Sequence, residues 1–221
     1  MNSNIIHCVG DSHASFFSGY DEIQPIYPLP SRNKYSFFKS YRLGAVLAYN
    51  LNKNNTKEQG REKLFHFTKT LSSESEILLC FGEIDCRCHL IKQSEYQKKH
   101  LYEIIKDCII NYFEVVDELL KLRFKIIIWN VIPTVNSNNP QYPVYGSSLQ
   151  RNECTILFNK ELELECNKRS LFFLSIFENL ISENRETRLD YYFDSIHLGQ
   201  NAMPFVFNRL IKLKPELLNH N

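Results

Sequence analysis

Ile5-Ile6-His7-Cys8-Val9-Gly10-Asp11-Ser12-His13 begins as an apolar run and breaks into a glycine and three polar side chains. The apolar part reads as a buried strand. Gly10 permits a tight turn. Ser12 then falls on a strand-to-helix turn, where its hydroxyl stands near the free N–H groups of a helix start. That position suits a nucleophile. The same pattern also serves as a helix N-cap from Asp11 or Ser12, and taken alone that is its commoner use.

Three further apolar runs read as buried strands: Ile77–Phe81, Lys125–Val131 and Leu171–Ile176. A polar or Gly/Pro turn follows each one. Between them lie helical patterns. Ser94 and Gln97 have capping-box spacing, and beyond them Leu101, Ile104, Ile105, Cys108, Ile109, Tyr112, Phe113 and Val116 recur at helical intervals. Further helices are expected over about 149–167 and 200–212, with a weaker one over 43–51. The polar stretches Asn50–Gly60 and Val135–Ser148 read as loops. Strands alternating with helices imply an α/β fold, a three-layer α/β/α sandwich with a parallel sheet. Ligands of such sheets bind beyond the carboxyl ends of the strands. With no internal repeat or composition break, residues 1–221 read as a single domain.

The 221 residues suffice for a sizeable core, and 43% hydrophobic with 23% charged residues is ordinary globular usage. Lys and Arg number 26 against 25 Asp and Glu, a net charge of +1. That balance speaks against a nucleic-acid partner. No apolar stretch has the length of a membrane span, so no membrane partner is expected. Seven cysteines without framework spacing, and no leader pattern at the N-terminus, point to a reducing, cytoplasmic setting.

The strand ends carry the chemistry. After the Ile77 run comes Phe81-Gly82-Glu83-Ile84-Asp85-Cys86-Arg87-Cys88-His89. Its ionisable side chains of mixed sign fit either a site or a salt-bridge cluster that fixes a loop. Cys86, Cys88 and His89, with Cys80, also raise a zinc reading. Structural zinc wants two separated ligand pairs, and no second pair occurs, so no metal and no cofactor is expected. Asn130, at the end of the Lys125 run, either satisfies backbone groups or points into a site. Near the C-terminus stands Asp194-Ser195-Ile196-His197. A carboxylate three residues before a histidine can hold one imidazole tautomer and stabilise its protonated form.

In combination these pieces resemble the SGNH (GDSL-like) hydrolase family. Gly10-Asp11-Ser12-His13 is similar to its first block, Leu43-Gly44-Ala45 to the second, Gly82-Glu83-Ile84-Asp85 to the third, and Asp194-Ser195-Ile196-His197 to the fifth. The resemblance implies the family's flavodoxin-like fold, with Ser12 as nucleophile, His197 as base and Asp194 orienting it. The oxyanion would be met by the N–H groups of Ser12 and Gly44 plus a third donor. In the family's third block, Gly-x-Asn-Asp, the Asn side chain donates to the oxyanion, and here Ile84 stands in its place. Arg87 and Asn130 are the candidate replacements. His13, beside the nucleophile, reads as structural or substrate-facing.

The resemblance implies a serine esterase acting on an O-acyl ester, carried by a small molecule or a glycan. Two alternatives keep the same fold: a glycan O-acyltransferase, and a non-catalytic domain that binds a glycan or protein. The substitution at Ile84 favours the last, and the intact Ser12, Asp194 and His197 set disfavours it. A nucleotide-binding flavodoxin-like domain would want a glycine-rich loop after the first strand, which Gly10-Asp11-Ser12-His13-Ala14-Ser15 does not supply. Oligomeric state is not legible in the sequence.

Overall fold

A computed structural model describes residues 5–135 and 139–213. In chain order it contains β1 (Ile6–Gly10), β2 (Phe38–Arg42), α1 (Gly60–Thr68), β3 (Glu76–Cys80), α2 (Leu90–Gln97), α3 (Leu101–Lys121), β4 (Lys125–Trp129), α4 (Ser148–Lys168), β5 (Phe172–Leu174), α5 (Phe177–Leu180) and α6 (Met203–Leu213). A 3-10 helix over Ser12–Ser18 follows β1, and a π-helical turn over Asp85–His89 precedes α2. All five strands are parallel, in the order β2-β1-β3-β4-β5.

Side-chain alternation along the strands divides the core into two layers. Val9, Ile77, Leu79, Ile126 and Ile128 face α1 to α4, meeting Leu64, Ile105, Tyr112, Val116 and Phe158. Cys8, Leu78, Cys80, Ile127, Trp129 and Leu174 face the other way, toward Phe16 and Phe17 of the 3-10 helix, Leu180 of α5, and Met203, Val206 and Leu210 of α6. This is the expected three-layer α/β/α arrangement. Burying both sheet faces explains why the central strands read as continuous apolar runs.

Gly10 ends β1 where it has no room for a side chain. A Cβ there would lie 2.0 Å from the Cys80 carbonyl oxygen. This close approach seats β1 against β3 and aims the chain outward at Asp11.

Several local expectations change. β2 lies at the sheet edge and was not anticipated, because Phe38-Lys39-Ser40-Tyr41-Arg42 alternates buried and exposed positions rather than reading as apolar. Residues 43–51 do not form a helix. Gly44 has φ +118°, and only Ala48–Asn50 makes a 3-10 turn. Ser94 lies inside α2, where its hydroxyl donates to Lys99 O, and His100 caps α3 by accepting from the Tyr102 N–H. A capping box is formed instead by Ser147 and Gln150 at the start of α4. Residues 136–138 of the expected 135–148 loop lie outside the described residues.

Candidate active site

Asp11 and Ser12 divide the two roles between which the sequence left Ser12 undecided. Asp11 is the N-cap of the 3-10 helix, and its Oδ1 accepts the His13 N–H at 2.9 Å. Ser12 is thereby free to face the C-terminal segment. Its Oγ lies 2.8 Å from His197 Nε2. The other ring nitrogen, Nδ1, lies 2.7 Å from Asp194 Oδ2. A carboxylate only accepts, so Nδ1 carries the proton and Nε2 is left to accept from the Ser12 hydroxyl. Asp194 is fixed in turn by the Ile196 and His197 N–H groups, which donate to its Oδ1 at 2.8 and 2.6 Å.

The protonation tendencies suit this geometry. Burial opposes a charge on Asp194, but the hydrogen bonds from His197 and the two N–H groups outweigh it and hold the carboxyl down at about 2. Burial lowers the His197 pKa below its ordinary value, more than the Asp194 hydrogen bond raises it. His197 is therefore a neutral acceptor at neutral pH. Phe193 stacks on its ring at 5.9 Å, and Tyr142 meets it edge-on at 5.5 Å.

Ser12 and Gly44 both lie just beyond the carboxyl ends of the neighbouring strands β1 and β2, where the Leu43 N–H donates to Gly10 O at 2.7 Å. Gly10 pairs with Arg42, and both chains run two residues further to reach Ser12 and Gly44. Among the described residues neither the Ser12 nor the Gly44 N–H donates to another group. Asp85, fully buried at the third strand end, accepts from the Ala48 N–H at 2.8 Å and the Tyr49 N–H at 3.2 Å.

Neither candidate for a third donor is turned toward Ser12. Arg87 gives its Nε–H to Glu83 at 2.7 Å and its Nη1–H to Pro143 O at 2.6 Å. Asn130 donates to Val131 O at 2.9 Å, and its Oδ1 accepts the Ile176 N–H at 2.9 Å, which ties β4 to the chain after β5. Arg87 holds a loop, and Asn130 satisfies backbone groups. Ile84 has no polar side chain to offer.

Cys86 is buried in the core beside Cys154, and Cys88 donates to Pro143 O at 2.6 Å. All seven cysteines are free thiols. Among the described residues, no three His, Cys, Asp or Glu side chains converge as metal ligands.

Sequence reasoning offers Glu83 and Asp85 as members of a loop-fixing salt-bridge cluster with Arg87, but not Glu83 as the partner of His13, Asp85 as a tether, or Tyr142 over His197. His13 Nε2 lies 3.2 Å from Glu83 Oε2. The four-residue spacing of Glu83 and Arg87 was a usable signal, since a helical turn brings such residues together. Nothing in the sequence marked Tyr142.

No protein-family model and no curated protein matches the sequence. Solved structures do match. Est24, a carbohydrate acetylesterase from Sinorhizobium meliloti, superposes with a TM-score of 0.60 at 15% identity, over 96% of this chain and 98% of that one. A GDSL-like lipase from Bacteroides thetaiotaomicron gives 0.53 at 11% identity, over 97% and 89%. The OSK domain of Drosophila Oskar gives 0.54 at 16% identity, over 93% and 86%. The chain therefore has the α/β/α fold of the GDSL-like, SGNH-type hydrolases.

Proposed function

We propose that this protein is a serine esterase-type hydrolase that cleaves an O-acyl ester through an acyl-enzyme on Ser12. The observation that carries this reading is the continuous Asp194–His197–Ser12 hydrogen-bond chain at 2.7 and 2.8 Å. In this mechanism His197 Nε2 takes the Ser12 proton as Oγ attacks the ester carbonyl, and Asp194 stabilises the imidazolium that forms. The N–H groups of Ser12 and Gly44 meet the oxyanion. His197 then returns the proton to the leaving alcohol, and water releases the acyl group. A carbohydrate ester is a candidate substrate, brought in by the likeness to Est24 alone. A reducing compartment is supported by the free state of all seven cysteines.

With Ile84 in the third block, the hole has two backbone donors. Loss of one donor typically lowers transition-state stabilisation by about 2.7–4 kcal/mol, so a slow enzyme is expected. The same substitution favours a second reading, a domain of this fold that binds a glycan or protein without turnover. Incubation with a fluorophosphonate probe, followed by intact-mass measurement, separates the two. One adduct per chain, lost in Ser12→Ala, supports the esterase. A folded wild-type protein that takes no adduct overturns it.

A further inference from the structure

Behind the triad lies a second chain of charges that the proposed mechanism does not use. Arg87 Nε is 2.7 Å from Glu83 Oε1, and Glu83 Oε2 is 3.2 Å from His13 Nε2. The His13 ring faces the His197 ring, with centroids 4.9 Å apart and planes inclined by 36°. All four side chains are buried. The His13–Glu83 contact lies off hydrogen-bonding geometry, so His13 Nε2 and Glu83 Oε2 both keep no hydrogen-bond partner, and the contact is an ion pair when His13 is protonated. Nor does Asp11 Oδ2, which lines the same small cavity of about 10 Å³ with His13, Glu83, Cys80 and Asn130.

We propose that His13, carried as an imidazolium on the buried Glu83–Arg87 pair, is a positioning residue for His197. By charge repulsion it keeps the His197 ring neutral, and its Nε2 lone pair open to Ser12, at acidic pH. The proposal rests on the esterase reading of the triad. Two like charges about 5 Å apart and shielded from water repel strongly, and the second one to form is disfavoured.

The surroundings of His13 support its charge. From its own turn Asp11 faces it, from the third strand end Glu83 with Arg87 behind it, and from the C-terminal segment His197 with Asp194. Burial opposes an imidazolium there, but the Asp11 and Glu83 carboxylates outweigh it and raise the His13 pKa. Burial would also favour a neutral Glu83, yet Arg87 and His13 hold it ionised, down to about 2. Asp11 behaves oppositely, since burial pushes it up to about 7. As pH falls through that value, Asp11 is neutralised and its support for the His13 charge is lost, which leaves the ionised Glu83, 3.2 Å from Nε2 and backed by Arg87, to hold the imidazolium. The cluster then gains a net positive charge on the side facing His197. The repulsion therefore grows in the range where a free histidine would begin to protonate.

The test is histidine NMR titration of the full chain, run beside fluorophosphonate labelling across pH. In the wild type, His13 is expected to be charged at pH 6 while His197 is neutral. In His13→Gln the His197 midpoint moves upward, and labelling at pH 5.5 falls roughly tenfold with little change at pH 8. An unchanged His197 midpoint in folded His13→Gln overturns the proposal. So does a neutral His13 at pH 6 in the wild type, a measurement that needs no variant to fold. Titration requires no turnover. A chain that shows these midpoints but takes no probe refutes the esterase reading and leaves the His13–His197 coupling standing.

Discussion

The Asp85 carboxylate reaches the backbone of Ala48 across 37 residues of sequence, accepting its N–H at 2.8 Å. Its other oxygen accepts from Tyr49 at 3.2 Å. The bond joins the loop after β2, which carries Gly44, to the turn after β3, which carries Gly82. Asp85 thus places the backbone of the proposed oxyanion hole without belonging to it.

Asp85→Ala should orphan both N–H groups and lower unfolding free energy by about 1–3 kcal/mol. Probe labelling of the remaining folded protein should slow as well, because Gly44 loses its anchor. Asp85→Asn keeps one accepting oxygen and should recover part of both. Denaturant midpoints and labelling rates read the two effects. A stability for Asp85→Ala equal to the wild type would remove the tether role.

Arg87→Ala should act on stability before it acts on acylation. It leaves Glu83 buried beside His13 alone, and breaking a buried pair from one side typically costs about 3–5 kcal/mol. Arg87→Lys should rescue little, since one ammonium does not reproduce the separate Nε and Nη1 donors to Glu83 and Pro143. A folded Arg87→Ala protein with native thermal stability and a labelling rate reduced about 10²-fold would return Arg87 to the oxyanion hole.

Gly10→Ala should separate β1 from β3. The added Cβ falls 2.0 Å from Cys80 O, on backbone that cannot swing aside. Overpacking of this kind costs roughly 1–3 kcal/mol or more. Thermal unfolding of the variant checks it, and an unshifted midpoint would mean that the strands part without cost.

Acid stability should divide the carboxyls of the site into two groups. Glu83 and Asp194 are each held at about 2, below their unfolded values. Their stabilisation is complete above about pH 4.5 and is lost as pH falls toward 2. Asp11 and Asp85 are pushed up by burial to about 7 and about 6. They favour the folded state most below about pH 4, and that contribution fades as pH rises through 6 to 7. Unfolding free energies measured from pH 2 to 8 should show a flatter acid limb in Asp194→Asn and a flatter neutral limb in Asp11→Asn. Parallel profiles for wild type and both variants would contradict these shifts.

What the sequence displays and what it hides follow from burial. β1, β3 and β4 read clearly because both faces of a central strand are covered. Edge strand β2 carries Lys39 and Arg42 and loses that signature. α3 announces itself through its apolar stripe, whereas α1, short and polar, merges with the loop before it. Ser12 and the Asp194–His197 pair are weak signals taken singly, and they become legible through the resemblance of their blocks and block order to the SGNH family. Asp85 and Tyr142, and the Glu83–His13 contact, are placed by tertiary contacts between distant segments, which one-dimensional spacing does not encode. Arg87 and Asn130 look equally fit for an oxyanion until their actual partners, Glu83 and Pro143 O for one and Val131 O for the other, are seen.

Ser12 and His197 are separated by 185 residues, which sets an order of events during synthesis. Ser12 leaves the ribosome 185 residues ahead of His197. At about 5–20 residues per second, the serine waits roughly 10–40 s for an imidazole. Until then it is an ordinary alcohol. On the proposed mechanism, a chain that has not yet reached His197 has no base for Ser12, so the parallel sheet can begin to assemble before the serine can attack an ester.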